Sequence, residues 1–347
     1  MNHPLGGRRK RIKQLVLACL IVAVVTVVLS ALKTTTIGDA PATRETPITG
    51  ETPATRETPA TRETSEMAPP AGYSASQLIF ADRFSGRSLN PAHWNTFMSG
   101  QGDATWNPGG LPAGDSAPGT HFHQNYFSPS QVRVHHGLTL TMVPDTKYSS
   151  RGYSYRSGVV TTAGRFTLRS GYVQIEAKMP DASAGGWPAI WFIDPNRGGG
   201  GPEIDLQEGG FIPAHAGLPN GTPVNNIFVS TYHTPSGIET GFGYATPEPM
   251  DAGFNVYGMQ YIPGQSIKTY FNGRLIGSWT RNISTTPYEI IIWNTQASVN
   301  ASSFHTTGEP PNPSRLSVAE VRVYALSPPA TRNRIVRPAA TSSRRAP

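Results

Sequence analysis

The sequence predicts an all-β body, a large antiparallel β-sandwich of short strands. Three observations carry this. Gly (36) and Pro (32) make up about a fifth of the 347 residues with no collagen-like period, more chain punctuation than a helix bundle tolerates. Apolar and polar residues alternate through several short runs, the pattern of half-buried strands. No run of ten or more residues shows a clean 3.6-residue period, so amphipathic helices are not expected.

At the N-terminus, Arg8, Arg9, Lys10, Arg11 and Lys13 precede an almost purely apolar stretch at 15–32. Its 18 residues nearly reach a bilayer span. Lys and Arg on its N-terminal side hold that end in the cytoplasm, which puts everything after Lys33 outside. Residues 1–33 are expected to be a single-pass membrane anchor. A cleaved signal that leaves a secreted protein is the alternative, with small residues at Ala40-Pro41-Ala42. Cys19, the sole Cys, lies inside this stretch, so the exported part has no disulfide.

Four hexapeptides, PATRET, PITGET, PATRET and PATRET, fill 41–64. Pro every six residues with Thr and charge cannot build a packed core. Residues 34–72 therefore read as a stiff spacer of on the order of 100 Å when fully extended. The tail 327–347, rich in Pro and Ala with five Arg and no acid, reads as disordered.

The net charge of +7 sits in the two ends; 73–326 carries 15 basic and 16 acidic residues. A near-neutral body offers no basic face for phosphates, so nucleic acid is not an expected partner. Within this body Gln131-Val-Arg-Val, Leu138-Thr-Leu-Thr-Met, Tyr172-Val-Gln-Ile-Glu-Ala-Lys-Met and Val318-Ala-Glu-Val-Arg-Val-Tyr alternate as strands do. His136-Gly137 and Asn272-Gly273 lie between such runs and mark hairpins. No internal boundary is visible, so 73–326 is read as one domain.

The chemistry concentrates at Glu203-Ile-Asp-Leu-Gln-Glu208. In a strand Glu203 and Asp205 share a face. Glu208 would point the other way unless a β-bulge adds one residue and brings it back. Three acids on one side of one strand repel one another, so at least one carboxyl is expected to titrate high. That suits an acid–base pair with one ionised and one protonated member; a solvated strand face or a calcium site is the plainer alternative. Upstream, Trp187 and Trp191 are four apart in Trp187-Pro-Ala-Ile-Trp and can share a face. Indole faces beside carboxylates suit a sugar ring, and a core Trp pair is the plainer alternative.

With these residues the chain resembles glycoside hydrolase family 16, the β-jelly-roll, concanavalin-like endoglycosidases that include laminarinases and lichenases. The family pattern E-x-D-x-x-E, preceded by a W-P-A-x-W-like segment, is met by Glu203, Asp205, Glu208, Trp187 and Trp191. Further matches are Leu78-Ile-Phe-Ala-Asp-Arg-Phe-Ser-Gly, Tyr155-Arg-Ser-Gly, Gly171-Tyr-Val-Gln-Ile-Glu-Ala-Lys-Met-Pro, Phe254-Asn-Val-Tyr-Gly, Tyr270-Phe-Asn-Gly and Val321-Arg-Val-Tyr. Together they cover about 73–326 in order.

The resemblance implies an endo-acting, retaining hydrolase of a β-linked polysaccharide, with β-1,3- or mixed-linkage glucan as first expectation. A transglycosylase using the same site, or a lectin-like binding module, are the competing readings. It implies a cleft in which Glu203 is the nucleophile, Glu208 the acid and then base, and Asp205 the residue that tunes Glu203. It further implies Trp191 as the floor at the scissile bond, Trp187 nearby, and His233 on a neighbouring cleft strand. Two departures stand out. Val159 occupies a position where laminarinase-like members often carry a substrate-facing Arg. Ala319 replaces an Asp that holds a structural calcium in many members, which speaks against that ion. The expectation is thus a monomer with no cofactor and no catalytic metal, whose partner is its polysaccharide substrate.

Overall fold

Strand pairing follows the alternation read from the sequence. The structure is a computed structural model that describes residues 67–98, 111–112, 114–196, 202–237 and 239–326. The expected anchor 1–33, most of the spacer (34–66) and the tail 327–347 lie outside the described residues.

In chain order the strands are β1 (Leu78–Asp82), β2 (Asn125–Phe127), β3 (Val132–Val134), β4 (Leu138–Pro144), β5 (Tyr155–Ser157), β6 (Val159–Thr161), β7 (Gly171–Lys178) and β8 (Gly186–Ile193). They continue with β9 (Glu203–Glu208), β10 (Ile227–His233), β11 (Glu239–Ala245), β12 (Asn255–Ile262), β13 (Ser266–Phe271), β14 (Arg274–Trp279), β15 (Glu289–Gln296) and β16 (Ser314–Tyr324). The larger sheet runs β14-β13-β12-β7-β16-β4-β5-β2, with β1 beside β16 and β3 beside β4. The smaller runs β11-β10-β9-β8-β15-β6. Pairing is antiparallel throughout except for β2 with β5, which run parallel. Among the described residues no helix is long and apolar enough to cross a membrane.

Both hairpin signals hold. His136 (φ 52°) and Gly137 (φ 127°) turn β3 into β4, and Asn272 (φ 48°) and Gly273 (φ 80°) turn β13 into β14. Asn tolerates the left-handed region and Gly adopts it freely, which is what a tight two-residue turn demands.

The core lies between the sheets. Val173, Ile175 and Ala177 of β7, Tyr257, Met259 and Tyr261 of β12, and Val321 and Val323 of β16 meet Ile190 and Phe192 of β8, Ile204 and Leu206 of β9, and Ile290 and Ile292 of β15. Strand β8 is buried on both faces. Its other set, Ala189, Trp191 and Ile193, packs with Met98, Phe127, Val159, Ile291 and Trp293 on the far side of the smaller sheet. That second layer covers part of the sheet and leaves the rest as a cleft.

Packing is already in place at Met67, upstream of the first strand. Its backbone N–H reaches Glu320 Oε2 at 3.2 Å, and Gln174 Nε2 contacts Met67 Sδ and the Ala68 carbonyl. Tyr73 lies on Tyr172 and Tyr324, with ring centroids 5.5 and 6.1 Å away. These partners belong to the outward set of the larger sheet, opposite the cleft.

Candidate active site

The bulge expected in β9 is present. Trp191 pairs with Asp205 and Ile190 with Gln207, so Leu206 is the extra residue. The same shift appears toward β10, where Thr231 faces Asp205 and Val229 faces Glu208. Ile204 and Leu206 drop into the core, while Glu203, Asp205 and Glu208 all line the cleft. One inserted residue therefore converts an alternating strand into a row of three acids on one face.

The cleft has a volume of about 680 Å³. Besides the acids it is lined by Trp187, Trp191, Trp293, Phe122, Phe211 and His233 among others. Trp191 and Trp293, neighbours across β8 and β15, lie 4.7 Å apart between ring centroids. All six residues expected at the site line one cavity. Trp293 and His123 were not expected there. Trp293 reads as one more apolar residue of the Ile290-Ile-Ile-Trp run, and only its register opposite Ala189 brings it beside Trp191.

Each acid has a distinct setting. Trp187 Nε1 donates to Glu208 Oε1 at 2.9 Å. His233 Nε2 lies 3.1 Å from Asp205 Oδ2, and its Nδ1 lies 3.9 Å from Glu239 Oε2. Glu203 and Asp205 share a hydrogen bond. Asp205 is buried, whereas Glu203 and Glu208 are half-buried and open to the cleft.

Burial pushes all three carboxyls up, and neighbouring negative charges add to it. For Glu203 burial leads and the Asp205 charge adds, with His233 opposing. Asp205 rises to about 8 through burial, opposed by its bond to Glu203 and raised further by Glu239. For Glu208 burial again leads, then the Asp205 charge, while the Trp187 N–H pulls the other way. A carboxyl raised in this way keeps its proton to higher pH, which is what a general acid requires.

Trp187 differs from the sequence reading in what it offers. Both of its faces are occupied: His123 lies 4.4 Å away and His305 stacks at 4.5 Å. It cannot also stack a sugar; it presents its N–H to Glu208. His305 sits between two carbonyls, with Gly209 O 2.8 Å from its Nε2 and Thr306 O 2.8 Å from its Nδ1, and its single N–H can serve one of them. This stack needs Gly210, whose φ is +89° and whose missing Cβ leaves the space held by His305 and the Gly186 carbonyl. His123 is wholly desolvated, which pushes it down to about 3 and keeps it neutral.

Glu203, Asp205 and His233 could also converge on a cation, their ligand atoms lying within 4.8 Å of one another. At the other place, where the resemblance implies a structural calcium in many members, the side chains offer little. Ala319 supplies no carboxylate, and the neighbouring Glu320 is held by Arg322 Nε at 2.7 Å and by the Met67 N–H.

No family model matches the chain. The curated relatives include the endo-1,3-1,4-beta-glycanase EglC of Rhizobium meliloti, 30% identical over 142 residues, which is 40% of this chain and 28% of that one. Glucan endo-1,3-beta-glucosidase A1 of Niallia circulans is 26% identical over 271 residues, 71% of this chain and 37% of that one. The chain thus spans roughly a third of the length of the curated relatives it matches. Among solved structures, the laminarinase catalytic domain of Thermotoga maritima matches with a TM-score of 0.56 at 22% identity, over 73% of this chain and 99% of that one. The endo-beta-1,3-glucanase of Pyrococcus furiosus gives 0.57 at 22%, over 72% and 94%. In fold and in the order of its motifs, the body of this chain is similar to the laminarinase- and lichenase-like endoglycosidases of glycoside hydrolase family 16.

Proposed function

We propose that the chain is an endo-acting, retaining glycoside hydrolase of a β-1,3- or mixed β-1,3-1,4-glucan. The observation that carries this is the bulge that sets Glu203, Asp205 and Glu208 on one cleft face, with Glu208 alone held by an indole N–H. A binding module would need neither the bulge nor three high-titrating carboxyls. In this reading Glu203 attacks the anomeric carbon while Glu208 gives its proton to the leaving oxygen. Glu208 then takes a proton from the water that cleaves the glycosyl-enzyme. Asp205 shares its proton with Glu203, and His233 holds Asp205 in place.

Trp191 and Trp293 are the aromatic floor. Val159 is fully buried beneath Met98 and Phe127, so an apolar plug stands where a substrate-facing Arg would otherwise reach the sugar. Its absence favours tolerance of linkage over strict β-1,3 recognition. The reading includes an anchor at 1–33 that holds the enzyme on the outer face of a membrane. Protein recovered free and starting near residue 43 would replace the anchor with a cleaved signal.

Turnover of laminarin and lichenan by the full chain tests the function. Internal cleavage, with one reducing end released per bond broken, is expected. Chain transfer without net reducing ends would make it a transglycosylase, and binding without cleavage of either glucan would make it a lectin.

A further inference from the structure

Beyond Trp187 the cleft continues between three loops. Phe122 lines it from one, Phe211 and His215 from the second, and Phe304 from the third. Among the described residues the acids of the lining are Glu203, Asp205 and Glu208 on β9 and Glu239 on β11. The cleft thus has an acidic part and an aromatic part, and the Trp187 N–H joins the aromatic part to Glu208.

The aromatic rings are braced against one another. His215 is exposed and lies flat on buried Phe211, with centroids 5.1 Å apart and 9° between the planes. A turn fixes it there: the His215 N–H reaches Ile212 O, and the Ile212 N–H reaches Phe304 O, each at 3.1 Å. Phe304, half-buried, lies 5.4 Å from His215 and meets half-buried Phe122 edge-on at 5.4 Å. Phe211 and Phe304 both meet Trp187 edge-on at 5.8 Å. The result is a shelf whose outermost ring is backed by a second ring and tied to the indole that holds Glu208.

We propose that this shelf, His215 with Phe304 and Phe122, stacks a glucosyl ring of the leaving half of the glucan. This deepens the glucanase reading and rests on it. A β-glucosyl ring carries its hydroxyls equatorially and turns axial C–H groups to both faces, which suit the negative face of an aromatic ring. A ring already held flat by its neighbours loses little freedom when sugar lands on it. Trp187 cannot serve here, because His123 and His305 cover its faces. Position gives the side of the bond. Glu208 serves the leaving oxygen, and the shelf adjoins it through Trp187. Glu203, which attacks the retained sugar, stands at the other end of β9 opposite His233, with Glu239 beyond.

The test compares laminarin with a dinitrophenyl β-laminaribioside, which carries no sugar beyond the bond that breaks. It uses the full chain and its His215→Ala and His215→Phe variants. The ratio of kcat/KM on laminarin to kcat/KM on the aryl glycoside should fall about fivefold in His215→Ala, the worth of one ring contact. His215→Phe keeps the flat ring without its nitrogens and should restore most of that ratio. An unchanged ratio in His215→Ala overturns the proposal, since the loss is then not confined to leaving sugar. Failure of His215→Phe to restore the ratio overturns it too, for the ring face would not be what binds. Should no glucan be cleaved, the glucanase reading falls, and migration through a laminarin-containing gel decides the shelf. About fivefold weaker retention of His215→Ala supports a glucosyl site there, and equal retention overturns it.

Discussion

Trp187 donates to Glu208 from the edge of its ring while His123 and His305 cover both of its faces. The indole is therefore clamped, and its N–H is aimed before substrate arrives. In the proposed reaction Glu208 becomes negative as it gives up its proton, so this bond strengthens toward the transition state.

Trp187→Phe keeps an aromatic ring between the two imidazoles and removes the donor. Turnover of glucan should fall about tenfold or more, the usual worth of a hydrogen bond to a charged group. The Trp187 N–H favours the ionised form of Glu208, so its loss should raise that carboxyl further and move the alkaline limb of kcat to higher pH. An alkaline limb that stays in place, whatever the loss of turnover, would make Trp187 a packing residue only.

Asp205→Asn bears on the cost of the site. Its carboxyl stands at about 8 in the fold against about 3.9 in an unfolded chain. A raised carboxyl is neutral at no cost below pH 4. Its ionisation then opposes folding progressively until the pH passes the folded value. The melting temperature of Asp205→Asn relative to the unaltered chain should thus rise between pH 4 and pH 8, by the equivalent of about a few kcal/mol. A difference that is flat or shrinks over that range contradicts the assignment.

Much of this site was legible in the sequence because it is local. The three acids lie within one strand, and alternation alone demands a bulge if Glu208 is to join Glu203 and Asp205. Trp187 and Trp191 share a face by the same rule. The rest depends on register between distant segments. His123 and His305 meet on Trp187 from loops far apart in the chain, and nothing local to either marks it. Trp293 enters the cleft through its pairing opposite Ala189. The covering of both Trp187 faces, which turns it from a stacking platform into a donor, follows from these long-range contacts. Likewise nothing in Met67 or Ala68 signals that they pack on Gln174 and Glu320, since short polar and apolar residues before a strand look alike in a spacer.

Gly210→Ala tests the support of the clamp. A Cβ there meets the His305 ring and the Gly186 carbonyl, and the backbone at φ +89° disfavours any side chain. Stability should fall by about 2 kcal/mol or more, and the tryptophan emission should shift as Trp187 loses its stacked imidazole. Unchanged melting and emission would mean that the loop repacks freely.

A chain of 67–326 should melt like a longer one, whereas a chain starting at 75 should not. The shorter chain loses the Tyr73 ring from Tyr172 and Tyr324 and the Met67 N–H from Glu320. Burial of one aromatic ring is worth about 2 kcal/mol, or several degrees in a domain of this size. Because the segment 67–74, here called the strap, lies on the sheet opposite the cleft, kcat below the transition should be equal in both. A lower kcat in the folded shorter chain would connect the strap to the site.

The division of labour among the acids gives the last prediction. Glu203→Gln and Glu208→Gln should each remove most turnover of glucan while leaving the fold intact, since both side chains face the cleft rather than the core between the sheets. They should fail differently. Without Glu203 no glycosyl-enzyme can form, whatever the leaving group. Without Glu208 an activated aryl glycoside still departs, because its oxygen needs no proton. The first step then survives and the second stalls for want of a base. Azide, which needs no deprotonation, should relieve the stall and give a β-glycosyl azide of retained configuration. Asp205→Asn should leave an intermediate defect, milder than either, because it tunes the charge of Glu203 and forms no bond to sugar. Double displacement is refuted if the Glu208→Gln product with azide is inverted. The assignment of Glu208 as acid is refuted if that variant gains nothing from an activated leaving group, for the Trp187 N–H would then be serving a carboxylate that never gives up a proton.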